Sequence, residues 1–152
     1  MNQTMDNNYL NELRKSTNDM CCAWNLVEKS HFVSYRTIAL CCANNMASMR
    51  IVVEWQELRI FVYLSRLHPD EDCMSVVGYD ADDLIELRHA KPSPVGRMFR
   101  RKAPGKISRI MDMYSKSLLA SASDIFQGDF QVFSQLEKIV LERARSFSKE
   151  EM

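Results

Sequence analysis

Residues 49–67, MRIVVEWQELRIFVYLSRL, constrain the fold more than any other part of this sequence. Apolar side chains recur at every second position in two runs, which contain Ile51, Val53 and Trp55 and then Leu58, Ile60, Val62 and Leu64. A period of two predicts two strands that each turn one face to a core. The break between the runs, at Gln56 and Glu57, predicts a tight turn and therefore an antiparallel hairpin.

Helical spacing of apolar residues predicts helices on both sides of this hairpin. Residues 1–6 are polar, and we expect them to be disordered. Asp6 or Asn7 would then cap a first helix, whose apolar stripe runs from Tyr9 to Trp24. After the hairpin, Asp80 would cap a short helix, and apolar residues at helical spacing predict further helices over residues 107–118 and 130–147.

Two further strands are predicted between the first helix and the hairpin, over residues 26–32 and 35–43. The predicted fold class is therefore α+β, with an N-terminal helix and a three- to four-stranded antiparallel meander. Two or three C-terminal helices should pack on one face of the sheet.

Length and composition predict one soluble domain over residues 1–152. Twenty basic and twenty acidic residues cancel, so the net charge demands neither nucleic acid nor an anionic membrane as partner. No apolar run reaches transmembrane length, and the first residues do not resemble a signal peptide. We therefore expect a cytoplasmic protein that does not bind membranes.

The five cysteines are arranged as two adjacent pairs, Cys21-Cys22 and Cys41-Cys42, and the single Cys73. An odd number without CxxC spacing is a poor disulfide framework. Adjacent side chains also point in different directions, whether on a helix or on a strand. We therefore expect free cysteines, most of them buried.

Charges are segregated in the middle third of the chain. Seven acids and no base lie in residues 70–86, namely Asp70, Glu71, Asp72, Asp80, Asp82, Asp83 and Glu86. Eight bases and no acid lie in residues 88–109, among them the loop residues Arg97, Arg100, Arg101, Lys102 and Lys106. The acidic block would suit a basic protein partner, and the basic loop would suit RNA or phosphate. The alternative is that both blocks are solvated and partly pair with each other.

Catalytic and metal-binding patterns are thin, and we expect no cofactor. His68, Asp72 and Cys73 lie close enough in sequence to suggest a metal site, but no second histidine follows at helical spacing. There is no GxSxG and no HExxH pattern. An enzyme is the third hypothesis, and it requires a pocket that brings His68 or His89 to carboxylates.

The hairpin face opposite the core carries Arg59, Phe61 and Tyr63. Exposed aromatic residues beside arginine are typical of an interaction hot spot, whereas helices on both faces would make Phe61 and Tyr63 core residues. An exposed edge strand could also pair across a two-fold axis, so a homodimer remains an option.

The segments VEWQELRIFVYLSRL (53–67) and QGDFQVFSQLEKIV (127–140) resemble parts of small bacterial α+β proteins, some of which are immunity proteins of toxin–immunity pairs. These segments cover about a fifth of the chain and contain no diagnostic motif. The resemblance implies a binding role. With the charge pattern it leads to the first hypothesis, a non-catalytic interaction protein, for instance an immunity protein that meets the basic surface of a toxin through the acidic block. The resemblance transfers no functional residue.

Overall fold

The computed structural model describes residues 3–54, 59–67, 71–89 and 107–150. It is an α+β fold, which confirms the predicted class. Along the chain, helices come before and after an antiparallel sheet. The elements are α1 (Gln3–Ser16), α2 (Asn18–Trp24), β1 (Val27–Val33), β2 (Thr37–Ala43), β3 (Ala47–Glu54), β4 (Arg59–Arg66), β5 (Tyr79–Asp80), α3 (Ala81–His89), α4 (Ile107–Ser121), α5 (Ser123–Phe126) and α6 (Val132–Glu150).

The sheet has the order β1-β2-β3-β4-β5, with every neighbouring pair antiparallel. The predicted hairpin is confirmed as β3 and β4, in which Ile51 stands opposite Val62. Its turn at Gln56 and Glu57 lies outside the described residues. The predicted three to four strands become five, because β5 pairs only two residues with β4 and is too short to show a periodic pattern.

One face of the sheet, which we call the core face, carries the main hydrophobic core. Its buried residues on β2, β3 and β4 are Ile38, Leu40, Cys42, Met49, Ile51, Val53, Ile60, Val62 and Leu64. Helices α1 to α5 and the first turns of α6 contribute to the same core. The helical spacing that predicts α4 comes from five apolar residues, all of them buried: Ile107, Ile110, Met111, Tyr114 and Leu118. These helices therefore pack on one face of the sheet, as the sequence predicts.

The first helix is divided in two, with the division at Thr17. This residue has ψ near −3°, and its hydroxyl donates to the carbonyl oxygen of Arg14 at 3.1 Å. A threonine hydroxyl that bonds to the preceding turn competes with regular helical geometry. The predicted apolar stripe is confirmed, but α1 begins at Gln3, so the predicted cap at Asp6 or Asn7 is wrong.

The last helix is buried only in its first half. Val132 and Leu136 belong to the core, whereas Val140 and Phe147 are 42% and 62% exposed. Helix α6 contacts α3 and β5. The apolar stripe predicted over residues 130–147 therefore extends past the part of α6 that packs on the core. Among the residues that the structure describes, no helix combines the length and the apolar character needed to cross a bilayer.

The expectation of free cysteines is wrong for two of the five, because Cys41 and Cys73 form a disulfide. Their separation in sequence, 32 residues, conceals the pairing, since only the fold brings Cys73 onto β2. Cys21, Cys22 and Cys42 are free.

Candidate functional site

Strand β1 is an edge of the sheet and is the most exposed strand of the described chain. Side chains on both of its faces reach solvent, including Glu28 and His31 on the core face. Val27 and Phe32 are 55% and 54% exposed, and Tyr35 in the following turn is 59% exposed. Large exposed apolar side chains that lie together mark interaction surfaces more often than isolated ones do.

A β-bulge places Val27 and Phe32 on the same face. They are five residues apart, but they stand opposite Ala43 and Ala39, which are four apart, because the register shifts between Glu28 and Ser30. The extra residue explains why residues 27–33, VEKSHFV, alternate poorly in sequence. Poor alternation with charged residues is typical of edge strands, and it is the one signal that could have singled out this surface.

The outer edge of β1 carries backbone hydrogen-bonding groups that no described strand pairs. The N–H of Ser34 donates to the carbonyl oxygen of Thr37 at 2.8 Å, so Ser34 and Thr37 are a hydrogen-bonded pair. Hydrogen-bonded and non-hydrogen-bonded pairs alternate in antiparallel sheets. The backbone N–H of Phe32 therefore points toward β2, and the backbone N–H groups of His31 and Val33 point toward the open edge.

The face of the sheet opposite the core, which we call the outer face, is covered in part by residues 71–78. The disulfide joins Cys73 to Cys41, and Arg50 donates to the carbonyl oxygens of Met74 and Val76 at 2.6 and 3.2 Å. Gly78 approaches β4 so closely that a Cβ atom there would lie 2.7 Å from Ser65 Oγ, so this contact requires glycine.

The rest of the outer face carries an apolar row across four strands. Register places Phe32, Ala39, Val52 and Phe61 side by side. Phe61 and Tyr63 are half-buried and stack on each other, with ring centroids 6.3 Å apart, while Arg59 is exposed. Arg50 lies 5.0 Å above the Tyr63 ring. The predicted hot spot on β4 is therefore neither core nor fully open, and the most exposed ring of the row belongs to Phe32.

A groove of about 560 Å³ opens at the other end of β1. Val27, Lys29 and Met46 line it together with Trp24 and Phe126, whose rings stack at 4.3 Å. Asn44 fixes its base, because its side-chain amide donates to the carbonyl oxygens of Trp24 and Phe126 at 3.0 and 2.9 Å. The edge strand is thus bordered by apolar surface at both ends. We use the name β1 edge for strand β1 together with the exposed Phe32 and Tyr35 at one end and this groove at the other.

Three of the predicted acidic site residues serve the fold. Asp80 accepts a hydrogen bond from the N–H of Asp82 at 2.8 Å, which confirms it as the cap of α3. Burial raises the pKa of the Asp80 carboxyl. Asp82 accepts from the buried Tyr114 hydroxyl at 3.2 Å, and burial raises the pKa of that phenol. Asp83 is 8% exposed and binds Arg143 at 2.7 Å.

The other acidic residues divide between the segment that starts at residue 71 and helix α3. Asp72 is exposed, but its carboxylate accepts from the Met74 N–H and the Ser75 hydroxyl, which shapes the turn after it. Glu71 is exposed and Glu86 is half-buried. Asp70 lies outside the described residues.

The basic loop candidates Arg97, Arg100, Arg101, Lys102 and Lys106 also lie outside the described residues. Of the basic block, Arg88 binds Asp124 through both guanidinium branches, at 2.8 and 2.7 Å, and donates to the Ser121 carbonyl oxygen. Asp83 and Arg88 therefore pair with residues outside both charged blocks, Arg143 and Asp124, rather than with the opposite block.

The histidine and cysteine hypotheses find little support in the described chain. His89 Nε2 lies 2.9 Å from Ser121 Oγ, but this hydroxyl donates its single proton to the Ser117 carbonyl oxygen at 2.7 Å. The histidine nitrogen must therefore donate to the serine, which is opposite to the role of a general base. The disulfide occupies Cys73 of the suggested metal site, and His68 lies outside the described residues. In the ranges described, no three potential metal ligands cluster.

Comparison with known proteins gives no relative: the chain matches no family model, no curated protein and no solved structure.

Proposed function

We propose that this protein is a non-catalytic interaction protein that binds an extended segment of a protein partner along the β1 edge. The observation that carries the proposal is the combination of an open strand edge with exposed apolar side chains. His31 and Val33 direct N–H groups that no described strand pairs to the edge, and Val27 and Phe32 share one face beside it.

An added strand would use both features at once. Main-chain hydrogen bonds to a sheet edge supply affinity, and pockets for alternate side chains supply specificity. The bulge at Lys29 interrupts the edge, so we propose that the partner pairs with residues 30–33 and places apolar side chains beside Phe32. Aromatic side chains such as Phe32 and Tyr35 are suited to this role because they bury much area at low entropic cost.

The narrower proposal, in which the partner is a toxin held by the acidic block, requires the acids to be available to it. The contacts of Asp80 and Asp83 within the fold favour the β1 edge instead. A cytoplasmic location and the RNA- or phosphate-binding role of the basic loop remain separate proposals, and salt-dependent retention on nucleic acid would test the latter.

Replacing His31 by proline tests strand addition directly. Proline removes an N–H that points away from β2 and is tolerated on edge strands, so the fold should persist. We expect His31→Pro to weaken partner binding about tenfold, the cost of one lost hydrogen bond and a steric clash. The measurement is partner affinity by calorimetry, with the partner captured through position 32 as described below.

His31→Ala is the matched control, because it also removes the imidazole that lies 3.3 Å from Glu28 but keeps the backbone N–H. The control should bind within about twofold of the parent protein. Equal affinity for the proline and alanine variants would exclude strand addition at this edge.

A further inference from the structure

Strand β1 offers a short regular segment to an added strand. This segment runs from Ser30 to Ser34, because the bulge at Lys29 interrupts the edge before it and the hydrogen-bonded pair of Ser34 and Thr37 closes the turn after it. Phe32 lies at the centre of the segment and is 54% exposed. The length available for pairing is therefore the same on both sides of Phe32.

The backbone groups of this segment are also symmetric about Phe32. One residue before it and one after it, the N–H groups of His31 and Val33 point toward the open edge. In an antiparallel pair, two residues that stand opposite each other can exchange both of their main-chain hydrogen bonds. If Phe32 faces Phe32 of a second copy, His31 of each copy stands opposite Val33 of the other. Four main-chain hydrogen bonds then form across a two-fold axis.

Other two-fold registers use the edge less completely. A register centred on His31 would pair Val33 with Lys29, which is the extra residue of the bulge. A register centred on Val33 would pair His31 with Tyr35, which lies in the turn. The register centred on Phe32 is therefore the one that uses the whole regular segment.

The side chains of the segment suit this register. The two Phe32 rings would stand directly opposite each other on the outer face, in a non-hydrogen-bonded pair. Aromatic side chains that face each other in this way stabilise antiparallel sheets. Ser30 would face Ser34 of the second copy, and His31 would face Val33, so no like charges stand opposite each other.

Charged and aromatic residues at the two ends of the segment are complementary as well. Tyr35 and Arg36 form the tip of the turn, and both are exposed, as are Glu28 and Lys29 at the bulge. The same two-fold axis brings the tip of one copy to the bulge of the other. Lys29 then lies beside an aromatic ring, and the Glu28 carboxylate, which also binds Arg14 of its own chain, lies beside a guanidinium.

We propose that two copies of this chain pair through β1, with Phe32 at the two-fold axis, and join their five-stranded sheets into one continuous sheet. This inference rests on the openness of the edge to strand addition, which the proposed function also uses. Self-pairing and partner binding occupy the same N–H groups and therefore exclude each other. The dimer is then the form that covers Phe32 until a partner segment displaces the second copy.

Disulfide crosslinking of the purified full chain tests the register. Phe32→Cys is made in a Cys22→Ser background, which removes the exposed native thiol. The Cα atoms of a non-hydrogen-bonded pair lie about 4.5 Å apart, which is within the range of a disulfide. The matched control is Tyr35→Cys, because Tyr35 is 59% exposed but would lie about 20 Å from its own counterpart. Under mild oxidation with diamide, we expect at least about tenfold more linked dimer from position 32 than from position 35.

Sedimentation velocity provides a second measurement that leaves Phe32 in place. The mass of the parent protein should rise with concentration toward twice that of one chain. His31→Pro removes two of the four hydrogen bonds, because both copies carry the change. We therefore expect it to raise the dimer dissociation constant at least about tenfold, whereas His31→Ala should change it by less than about twofold.

Three results would each overturn the self-pairing. These are a parent protein that stays monomeric at its highest soluble concentration, equal crosslinking from positions 32 and 35, and a dimer that His31→Pro does not weaken. All three concern the purified chain alone. A monomeric chain that still gives an adduct with a different protein from position 32 would therefore overturn this inference and leave the proposed function intact.

Discussion

Reduction of the Cys41–Cys73 disulfide is expected to lower the free energy of unfolding by about 4 kcal/mol. The bond joins residues 32 positions apart, and opening it returns the corresponding loop entropy to the unfolded chain. In the folded state it fixes residues 71–78 across the outer face, where Arg50 donates to the carbonyl oxygens of Met74 and Val76. Urea unfolding with and without dithiothreitol measures the difference.

The Cys41→Ala/Cys73→Ala variant is the control for this experiment. It should be as unstable as the reduced protein, and it should not respond to reductant. A reductant effect of equal size in the double variant would show that another bond is responsible.

The disulfide also bears on cellular location, because disulfides persist mainly outside the reducing cytoplasm. Detection of the Cys41–Cys73 disulfide in freshly lysed cells would count against the proposed cytoplasmic location.

Asp83→Asn is expected to lower the free energy of unfolding by about 2 kcal/mol. Asp83 is 8% exposed, and Arg143 binds it through both guanidinium branches, at 2.7 and 3.4 Å. Breaking a fully buried pair costs about 3–5 kcal/mol, and the estimate here is smaller because the Arg143 side chain is 53% exposed. Thermal and urea unfolding provide the measurement.

Asp112→Asn, an exposed acid on α4, is the matched control and should change stability by less than about 0.5 kcal/mol. The same variants distinguish the two binding proposals. If Asp83→Asn weakens partner binding without loss of stability, the acidic block is the docking surface and the β1 edge is not.

The sequence predicts the elements in which a side-chain period is strong, and it fails where contacts are distant or short. Ile51 and Ile60 follow a clean period of two, and Ile107 and Met111 a helical one, so the hairpin and α4 are correctly predicted. The two residues of β5 cannot show a period. The Cys41–Cys73 bond depends on a chain crossing that no local pattern encodes.

The candidate site is harder to predict than the fold for a physical reason. Exposure at Phe32 depends on its strand being the edge of the sheet, and strand order is a property of the whole chain. Likewise, the sequence suggests that the acidic residues are free to bind a partner. In the fold, however, Asp83 forms an ion pair with Arg143, and Asp80 caps the start of α3. Charge segregation alone therefore overestimates how much of the acidic block a partner could use.

Site-specific photocrosslinking in the native cell tests the β1 edge most directly. Benzoylphenylalanine replaces Phe32 in one variant and Phe147, which is 62% exposed on α6, in a matched control. We expect a discrete protein adduct from position 32 that position 147 does not give and that His31→Pro diminishes. Adducts from position 147 alone, or none from position 32, would exclude the β1 edge as the binding site.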